Sequence, residues 1–220
     1  MIIFDCDGVL VDSEIISNTV DSEAFSALGY PMTAAKMIRR FIGRPKKDIW
    51  QQLASEMGKP LPENFAAQVN EATLARYRAE LRAIDGVAAS IDDLPGKKCV
   101  ASSSELKKLR LALELTGLLE KFDPWVFSAS QVARGKPAPD LFLFAAAQCG
   151  VAPADCLVIE DSKAGVDAAI AAGMRAIGFT GASHSYPGHA EDLRAAGARL
   201  VIAHMKDLPA AIETVSRTPM

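Results

Sequence analysis

The 220-residue chain has few cysteines and histidines, and neither type forms a metal-binding pattern. The cysteines are Cys6, Cys99, Cys149 and Cys156. They form no Cys-x-x-Cys pair, and no histidine stands at zinc spacing, so we expect buried free thiols in a reducing cytosol. His184 and His189 fall in a loop rich in Gly, Ser and Pro and are expected to be solvated, whereas His204 follows a strand and is expected to be structural.

The sequence also lacks a basic excess and any apolar run long enough to cross a membrane. Its formal net charge is -3, which gives no indication of nucleic acid or of an anionic membrane as a partner. Asp5 and Asp7 interrupt the apolar N-terminus too early for a signal peptide. We therefore expect a cytoplasmic protein, monomeric by default, in which an anionic substrate meets local positive charge or a metal ion.

Short apolar runs do occur, and they alternate with amphipathic stretches over most of the chain. The runs that predict strands are residues 1–4, 98–101, 125–127, 157–160, 176–179 and 200–203. A helical pattern follows each of the last five. This alternation predicts an α/β fold with a Rossmann-like parallel sheet core and helices on both faces.

One block breaks the alternation, because the sequence from about Ile15 to Arg82 is helical throughout. Residues 47–57 and 65–81 have the spacing of amphipathic helices, and four prolines punctuate the block. We therefore predict that residues 15–82 form a small α-helical cap domain. The cap would be inserted into a core of residues 1–14 and 83–220.

Polar residues follow the apolar runs at the points where strands end. They are Asp5, Asp7, Ser102, Ser103, Lys136, Glu160 and Asp161. Taken singly, these residues have simpler interpretations. Asp5 and Asp7 could be turn formers, Ser102 and Glu105 a capping box, Asp161 or Ser162 an N-cap, and Lys136 a solvated loop charge. Because ligands of open α/β sheets bind beyond the carboxyl ends of the strands, we expect the whole set to converge at one edge.

The carboxylates of this set are suited to a hard metal ion. Asp5 and Asp161, together with Glu160, would offer oxygen ligands of the kind that Mg²⁺ prefers. The ion would offset their mutual repulsion. One carboxylate left facing a phosphorus atom could act as a nucleophile.

The remaining residues of the set are suited to a phosphoryl group. Ser102 and the amides after it, at a helix start, could bind phosphate oxygens. Lys136 would supply fixed positive charge, and Asp7 could act as general acid for the leaving alcohol and then as base for water.

Four segments in this order resemble the haloacid dehalogenase-like hydrolase superfamily, in its β-phosphoglucomutase-like branch, which is rich in phosphatases. They are DCDGVLVDS at 5–13, Ser102 after a strand, KPAPD at 136–140, and EDS at 160–162 leading to Gly165. The resemblance covers nearly the whole chain. It implies a Mg²⁺-dependent phosphatase that acts on a small phosphorylated metabolite, a sugar phosphate or a sugar-acid phosphate, through an aspartyl-phosphate.

The resemblance also implies the role of each motif residue. Asp5 would be the nucleophile and Asp7 the acid and base. The implied Mg²⁺ ligands are Asp5, the main-chain carbonyl of Asp7, Asp161 and, directly or through water, Glu160. The implied phosphate-binding groups are Ser102, Lys136 and the amides of Cys6, Asp7 and Ser103.

Alternatives within the superfamily depend on the cap. Dehalogenases lack the second aspartate, which is present here as Asp7, and phosphonatases need a desolvated cap lysine, for which no candidate stands out. β-Phosphoglucomutases have a cap histidine where this chain has Ser17, and a cap arginine after a glycine corresponding to Gly43, where this chain has Lys46. We therefore expect a phosphatase, with Arg44 and Lys46 near an anionic group of the substrate. A mutase and a non-catalytic phosphoryl-ligand binding protein are the alternatives.

Overall fold

The computed structural model describes residues 1–41 and 44–217. Its strands are β1 (Ile2–Phe4), β2 (Lys98–Ser102), β3 (Val126–Ser128), β4 (Leu157–Glu160), β5 (Arg175–Phe179) and β6 (Leu200–Ile202). Its helices are α1 (Glu14–Ala27), α2 (Ala34–Phe41), α3 (Lys46–Met57), α4 (Phe65–Glu80), α5 (Val87–Asp93), α6 (Leu106–Leu115), α7 (Asp140–Cys149), α8 (Lys163–Ala171), α9 (His189–Ala195) and α10 (Leu208–Arg217). None of the helices in these ranges is long and apolar enough to cross a membrane.

The six strands form one parallel sheet in the order β3-β2-β1-β4-β5-β6. The chain moves outward from β1 to β3 and then returns to the other side of β1, so the strand order reverses between β1 and β4. Such a reversal leaves a crevice at the carboxyl edge of the sheet. The predicted α/β fold is confirmed, and the crevice lies where the polar residues after β1 and β4 come together.

Apolar side chains cover both faces of the sheet. Alternation along β1 sends Ile2 and Phe4 into one buried cluster and Ile3 into the other. All four cysteines are buried and free, as predicted. The sheet is therefore a rigid base for the loops at its edge.

Helices α1 to α4, which follow β1, pack around an apolar cluster of their own, which includes Phe25, Leu53 and Phe65. Two chain segments join these helices to the sheet, and they run antiparallel to each other: the Asp12 amide donates to the Arg82 carbonyl at 2.9 Å, and the Ile84 amide donates to the Leu10 carbonyl at 2.9 Å. We call residues 14–80 the helical segment.

Candidate active site

A cavity of about 450 Å³ lies between the carboxyl edge of the sheet and the helical segment. From the sheet side it is lined by Asp5, Asp7, Ser102, Ser103, Lys136, Glu160 and Asp161. From the helical segment and the turn before α3 it is lined by Glu14, Ser17, Asn18, Asp21, Arg44 and Lys46, among others. The structure thus brings the sequence-predicted side chains of both groups to one cavity. Gly43 lies outside the described residues.

Lys136 is at the centre of the sheet side of the cavity. Its Nζ donates to Asp5 Oδ1 at 2.5 Å, to Glu160 Oε1 at 2.7 Å and to the Ala101 carbonyl at 2.9 Å. The side chain is buried, so the interpretation as a solvated loop charge is wrong. Burial raises the pKa of Asp5 well above its ordinary value, although the charge of Lys136 opposes that rise.

Asp7 has a different environment, because hydroxyl groups surround its carboxylate. Ser13 Oγ donates to Oδ1 at 2.6 Å, and Ser104 Oγ and Ser102 Oγ donate to Oδ2 at 2.7 and 3.3 Å. Burial alone would raise the pKa of Asp7, but Lys108 and the three hydroxyls lower it below its ordinary value. The pKa of Asp5 is therefore raised and the pKa of Asp7 is lowered, although the two residues are neighbours.

The serines that follow β2 line the cavity. Ser102 Oγ accepts from the Ser104 amide at 3.1 Å, and α6 begins after Glu105 without a side-chain cap, so the capping box suggested for Ser102 and Glu105 is wrong. Ser103 is exposed to the cavity, and the Cys6 side chain is buried.

Glu160 is held on both carboxylate oxygens by the protein itself. Oε1 accepts from Lys136, and Oε2 accepts from the Ser162 amide at 2.8 Å and from Ser162 Oγ at 2.9 Å. Ser162 Oγ also accepts from the Gly165 amide at 3.0 Å, which confirms the suggested N-cap of α8. With both of its oxygens engaged, Glu160 orients Lys136 and the start of α8.

Asp161 lies against the turn that follows Asp7. Gly8 has φ +85°, and a Cβ at Gly8 would lie 2.0 Å from Asp161 Oδ2. Burial raises the pKa of Asp161 to about 6, although His184, whose Nε2 is 2.9 Å from Oδ2, opposes the rise. His184 and His189 are both buried, so the prediction that they are solvated is wrong; His204, expected to be structural, is exposed. A Gly/Ser/Pro composition indicates a loop, but not whether that loop packs.

Negative charge exceeds positive charge at this edge. One buried lysine faces two carboxylates, Asp5 and Glu160, while Asp161 raises the pKa of Asp5 as a further negative neighbour. No three acidic, histidine or cysteine side chains among the described residues are grouped to enclose a metal ion. A site made of two carboxylates, one main-chain carbonyl and water is nevertheless the kind that Mg²⁺ uses. The donor set therefore fits Mg²⁺.

The residues of the helical segment that were predicted to meet substrate have mixed environments. Lys46 Nζ forms an ion pair with Asp21 Oδ2 at 2.9 Å, and Trp50 Nε1 donates to Asp21 Oδ1 at 3.1 Å. Partial burial lowers the pKa of Lys46, against the charge of Asp21, and the side chain is still 30% exposed. Arg44 is exposed, and its Nη1 donates to Gln52 Oε1 at 2.8 Å. The Ser17 and Tyr77 hydroxyls are 3.4 Å apart.

Sequence reasoning missed Lys108, which lies on α6 and lines the cavity. Its Nζ is 5.2 Å from the centre of the Tyr77 ring on α4, and its charge lowers the pKa of Asp7. Lys108 therefore links the helical segment to the second aspartate. No motif includes it, because the link exists only once α4 and α6 have packed.

The comparisons with known proteins show the family of the chain. The family described as haloacid dehalogenase-like hydrolase matches residues 2–179. The chain belongs to this family, as the motif resemblance predicted.

Individual relatives cover most of the chain. A 6-phosphogluconate phosphatase from Escherichia coli (strain K12) is 32% identical over 187 residues, which are 84% of this chain and 85% of the relative. A conserved haloacid dehalogenase-like protein of unknown function from Agrobacterium tumefaciens superposes with a TM-score of 0.89 at 44% identity, covering 98% of both chains. A family hydrolase from Deinococcus radiodurans with bound phosphate and sodium has a TM-score of 0.79 at 32% identity, covering 98% of this chain and 95% of its own. The chain is a phosphoric monoester hydrolase.

Proposed function

We propose that the chain is a Mg²⁺-dependent phosphatase of a small phosphorylated metabolite, a sugar phosphate or a sugar-acid phosphate, and that it acts through an aspartyl-phosphate on Asp5. The observation that carries this proposal is the contrast between two aspartates in one cavity. Asp5 is paired with a buried lysine, whereas Asp7 is surrounded by hydroxyl groups. Two neighbouring carboxylates in different environments are suited to different chemical roles.

In the first step an Asp5 carboxylate oxygen attacks the substrate phosphorus, and the bond from phosphorus to the leaving oxygen breaks. Lys136 and Ser102, with the amides of Cys6, Asp7 and Ser103, hold the phosphoryl oxygens. Asp7 gives a proton to the leaving oxygen, which departs as an alcohol. The product of this step is a phosphoryl group on Asp5.

In the second step Asp7, now ionised, takes a proton from water. The water oxygen attacks the phosphorus, the bond to Asp5 breaks, and inorganic phosphate leaves. The lowered pKa of Asp7 without substrate keeps its carboxylate ionised, which is the form that accepts a proton. An entering phosphate dianion raises that pKa by like-charge repulsion, so Asp7 acquires the proton for the first step only when substrate binds.

The residues that would hold Mg²⁺ are Asp5, Asp161 and the main-chain carbonyl of Asp7. Glu160 would contribute indirectly, because it orients Lys136. A bound Mg²⁺ supplies positive charge that draws the phosphoryl group to Asp5 and offsets the negative charge that develops on its oxygens.

The cavity wall formed by the helical segment is suited to a small polar substrate. A cavity of about 450 Å³ is of the size that holds a metabolite. The polar side chains of Glu14, Asn18 and Lys46 line it on the side of the helical segment. Residues 15–82 would act as the cap that excludes water from the site. Lys46 keeps unused donor capacity beside Asp21, which suits sugar hydroxyls or the carboxylate of a sugar acid. One relative's name, 6-phosphogluconate phosphatase, supports the sugar-acid class.

The test is phosphate release from a panel of sugar phosphates and sugar-acid phosphates, in Mg²⁺ and in EDTA. We expect Asp5→Asn to lose at least about a thousandfold in turnover, and EDTA to abolish release. Asp167→Asn, an exposed aspartate on α8, is the matched control and should behave as wild type.

Full release by Asp5→Asn or in EDTA would contradict the proposal. A mutase would convert β-glucose 1-phosphate to glucose 6-phosphate with little free phosphate. A binding protein would show metal-dependent ligand binding without turnover of any compound in the panel.

A further inference from the structure

Two histidines that the proposed mechanism does not use lie after β5: His184 in the segment that joins β5 to α9, and His189 at the first residue of α9. His184 is 2% exposed and His189 is 3% exposed. The segment before α9 is otherwise rich in the glycine, serine and proline that mark a solvated loop. Burying an imidazole costs free energy unless its nitrogens find partners, so the contacts of these two rings need an explanation.

The hydrogen-bond partners of His189 define its tautomer. Nε2 is 2.6 Å from the main-chain oxygen of Asp161, which can only accept, so Nε2 carries the hydrogen. Nδ1 then accepts from Ser185 Oγ at 2.8 Å. Tyr186 stacks on the imidazole with 4.6 Å between ring centroids. His189 thus fixes the main chain at Asp161.

His184 contacts the side chain of the same residue. Its Nε2 lies 2.9 Å from Asp161 Oδ2, at ion-pair distance but without hydrogen-bond alignment. Its Nδ1 has no hydrogen-bond partner within the part of the chain that the structure describes. A Cβ at Gly8 would lie 2.6 Å from Cε1 of this ring. The ring therefore packs against both the Asp161 carboxylate and the turn that follows Asp7.

The same segment is tied to the connection between β1 and α1. Ser183 donates to Asp12 Oδ1 twice, from its amide at 3.2 Å and from Oγ at 2.8 Å. Contacts through Ser183, His184 and His189 thus hold the segment to Asp12 and Asp161. A loop surrounded by solvent would not make these contacts.

We infer that residues 183–189 form a clamp that fixes Asp161 as a cation ligand, with His184 as the positioning residue for its carboxylate. His189 sets the main chain and His184 restricts the carboxylate to one orientation. Groups that orient a metal ligand in this way usually affect metal affinity strongly. The inference rests on the Mg²⁺ site of the proposed function.

The test is Mg²⁺ binding to the full chain without substrate, measured by isothermal titration calorimetry. His184→Leu keeps most of the side-chain volume and removes both nitrogens, whereas His184→Gln keeps a donor that can reach the position of Nε2. We expect His184→Leu to weaken Mg²⁺ binding about 10–100-fold, and His184→Gln to stay within about fivefold of wild type. His204→Ala, at an exposed histidine, is the matched control and should bind as wild type does.

Asp161→Asn distinguishes failure of the Mg²⁺ site from failure of the clamp alone. If wild type and Asp161→Asn bind Mg²⁺ equally, the cation site itself fails and the clamp fails with it. If Asp161→Asn loses binding while His184→Leu stays within about twofold of wild type, only the clamp is overturned. Equal weakening by His184→Leu and His184→Gln would also overturn it, because packing rather than a nitrogen contact would then explain the effect. Thermal unfolding of each variant confirms that it is folded.

Discussion

Gly165 is required because the Glu160 carboxylate occupies the space where a side chain would begin. A Cβ at this position would lie 1.7 Å from Glu160 Oε1. That oxygen accepts from Lys136 at 2.7 Å. The first turn of α8 therefore packs directly against the carboxylate that orients Lys136.

We predict that Gly165→Ala lowers both stability and activity. Alanine in place of a helical glycine usually stabilises by about 1 kcal/mol, but here the Glu160 carboxylate must move. We expect the free energy of unfolding, measured by chemical denaturation, to fall by about 1–3 kcal/mol. The rate of phosphate release should fall about tenfold or more. Gly135→Ala is the control, because the nearest atom to its Cβ would be 3.6 Å away. A Gly165→Ala protein as stable and active as wild type would contradict the assignment of this contact.

At the residue scale the sequence indicated the motif residues but not their partners. Asp5, Asp7, Lys136 and Asp161 could be predicted because each follows a strand or lies in a short motif. Lys108 and His184 could not, because their contacts depend on how α6 and a loop pack. Ser104 lies only two residues from Ser102, yet its contact with Asp7 depends on the turn after β2.

At the element scale, an ion pair between a buried aspartate and a partly exposed lysine joins α3 to α1. Asp21 on α1 is 2% exposed and contacts both Lys46 and Trp50 of α3. Leaving Asp21 without Lys46 is costly, because the remaining carboxylate stays away from water. This pair therefore holds the cavity wall that we propose contacts the substrate.

We predict strong coupling between Lys46 and Asp21 in a double-mutant cycle of Lys46→Met and Asp21→Leu. Lys46→Met, which leaves the buried Asp21 without its cation, should cost about 2–3 kcal/mol and Asp21→Leu should cost less; the double change should cost less than their sum by more than about 1 kcal/mol. The exposed pair Lys163 and Asp167 on α8 is the control, with about 0.3–0.5 kcal/mol of coupling expected. Equal coupling in both cycles, measured by urea unfolding, would show that burial of the pair has no effect.

The predicted elements agree well with those of the sheet and less well with the short helices. Strand β2 extends one residue past its predicted end, because Ser102 pairs with Ser128 in the ladder. The same ladder shifts β3 to Val126–Ser128. Helix α5 has only seven residues, too few for a periodic pattern to indicate it.

At the scale of the whole molecule, the active site depends on two parts of the chain that meet across a cavity. The sheet side brings an excess of buried carboxylates, and the helical segment brings Lys46 and the residues around it. The alternation of strands and helices predicted the fold, and the motifs predicted the edge where the site lies. The pairing of Lys46 with Asp21 could not be predicted, because it depends on the packing of α1 against α3.

The central claim is that Asp5 carries the phosphoryl group between substrate and water. Asp7→Asn removes the base of the second step, and p-nitrophenyl phosphate, whose leaving group needs no acid, still allows the first. Rapid quenching of this variant in Mg²⁺, followed by mass spectrometry of its peptides, tests the claim. We predict a phosphoryl group on Asp5, absent from Asp5→Asn. Release of nitrophenol without any phosphoryl group on Asp5 would contradict the account.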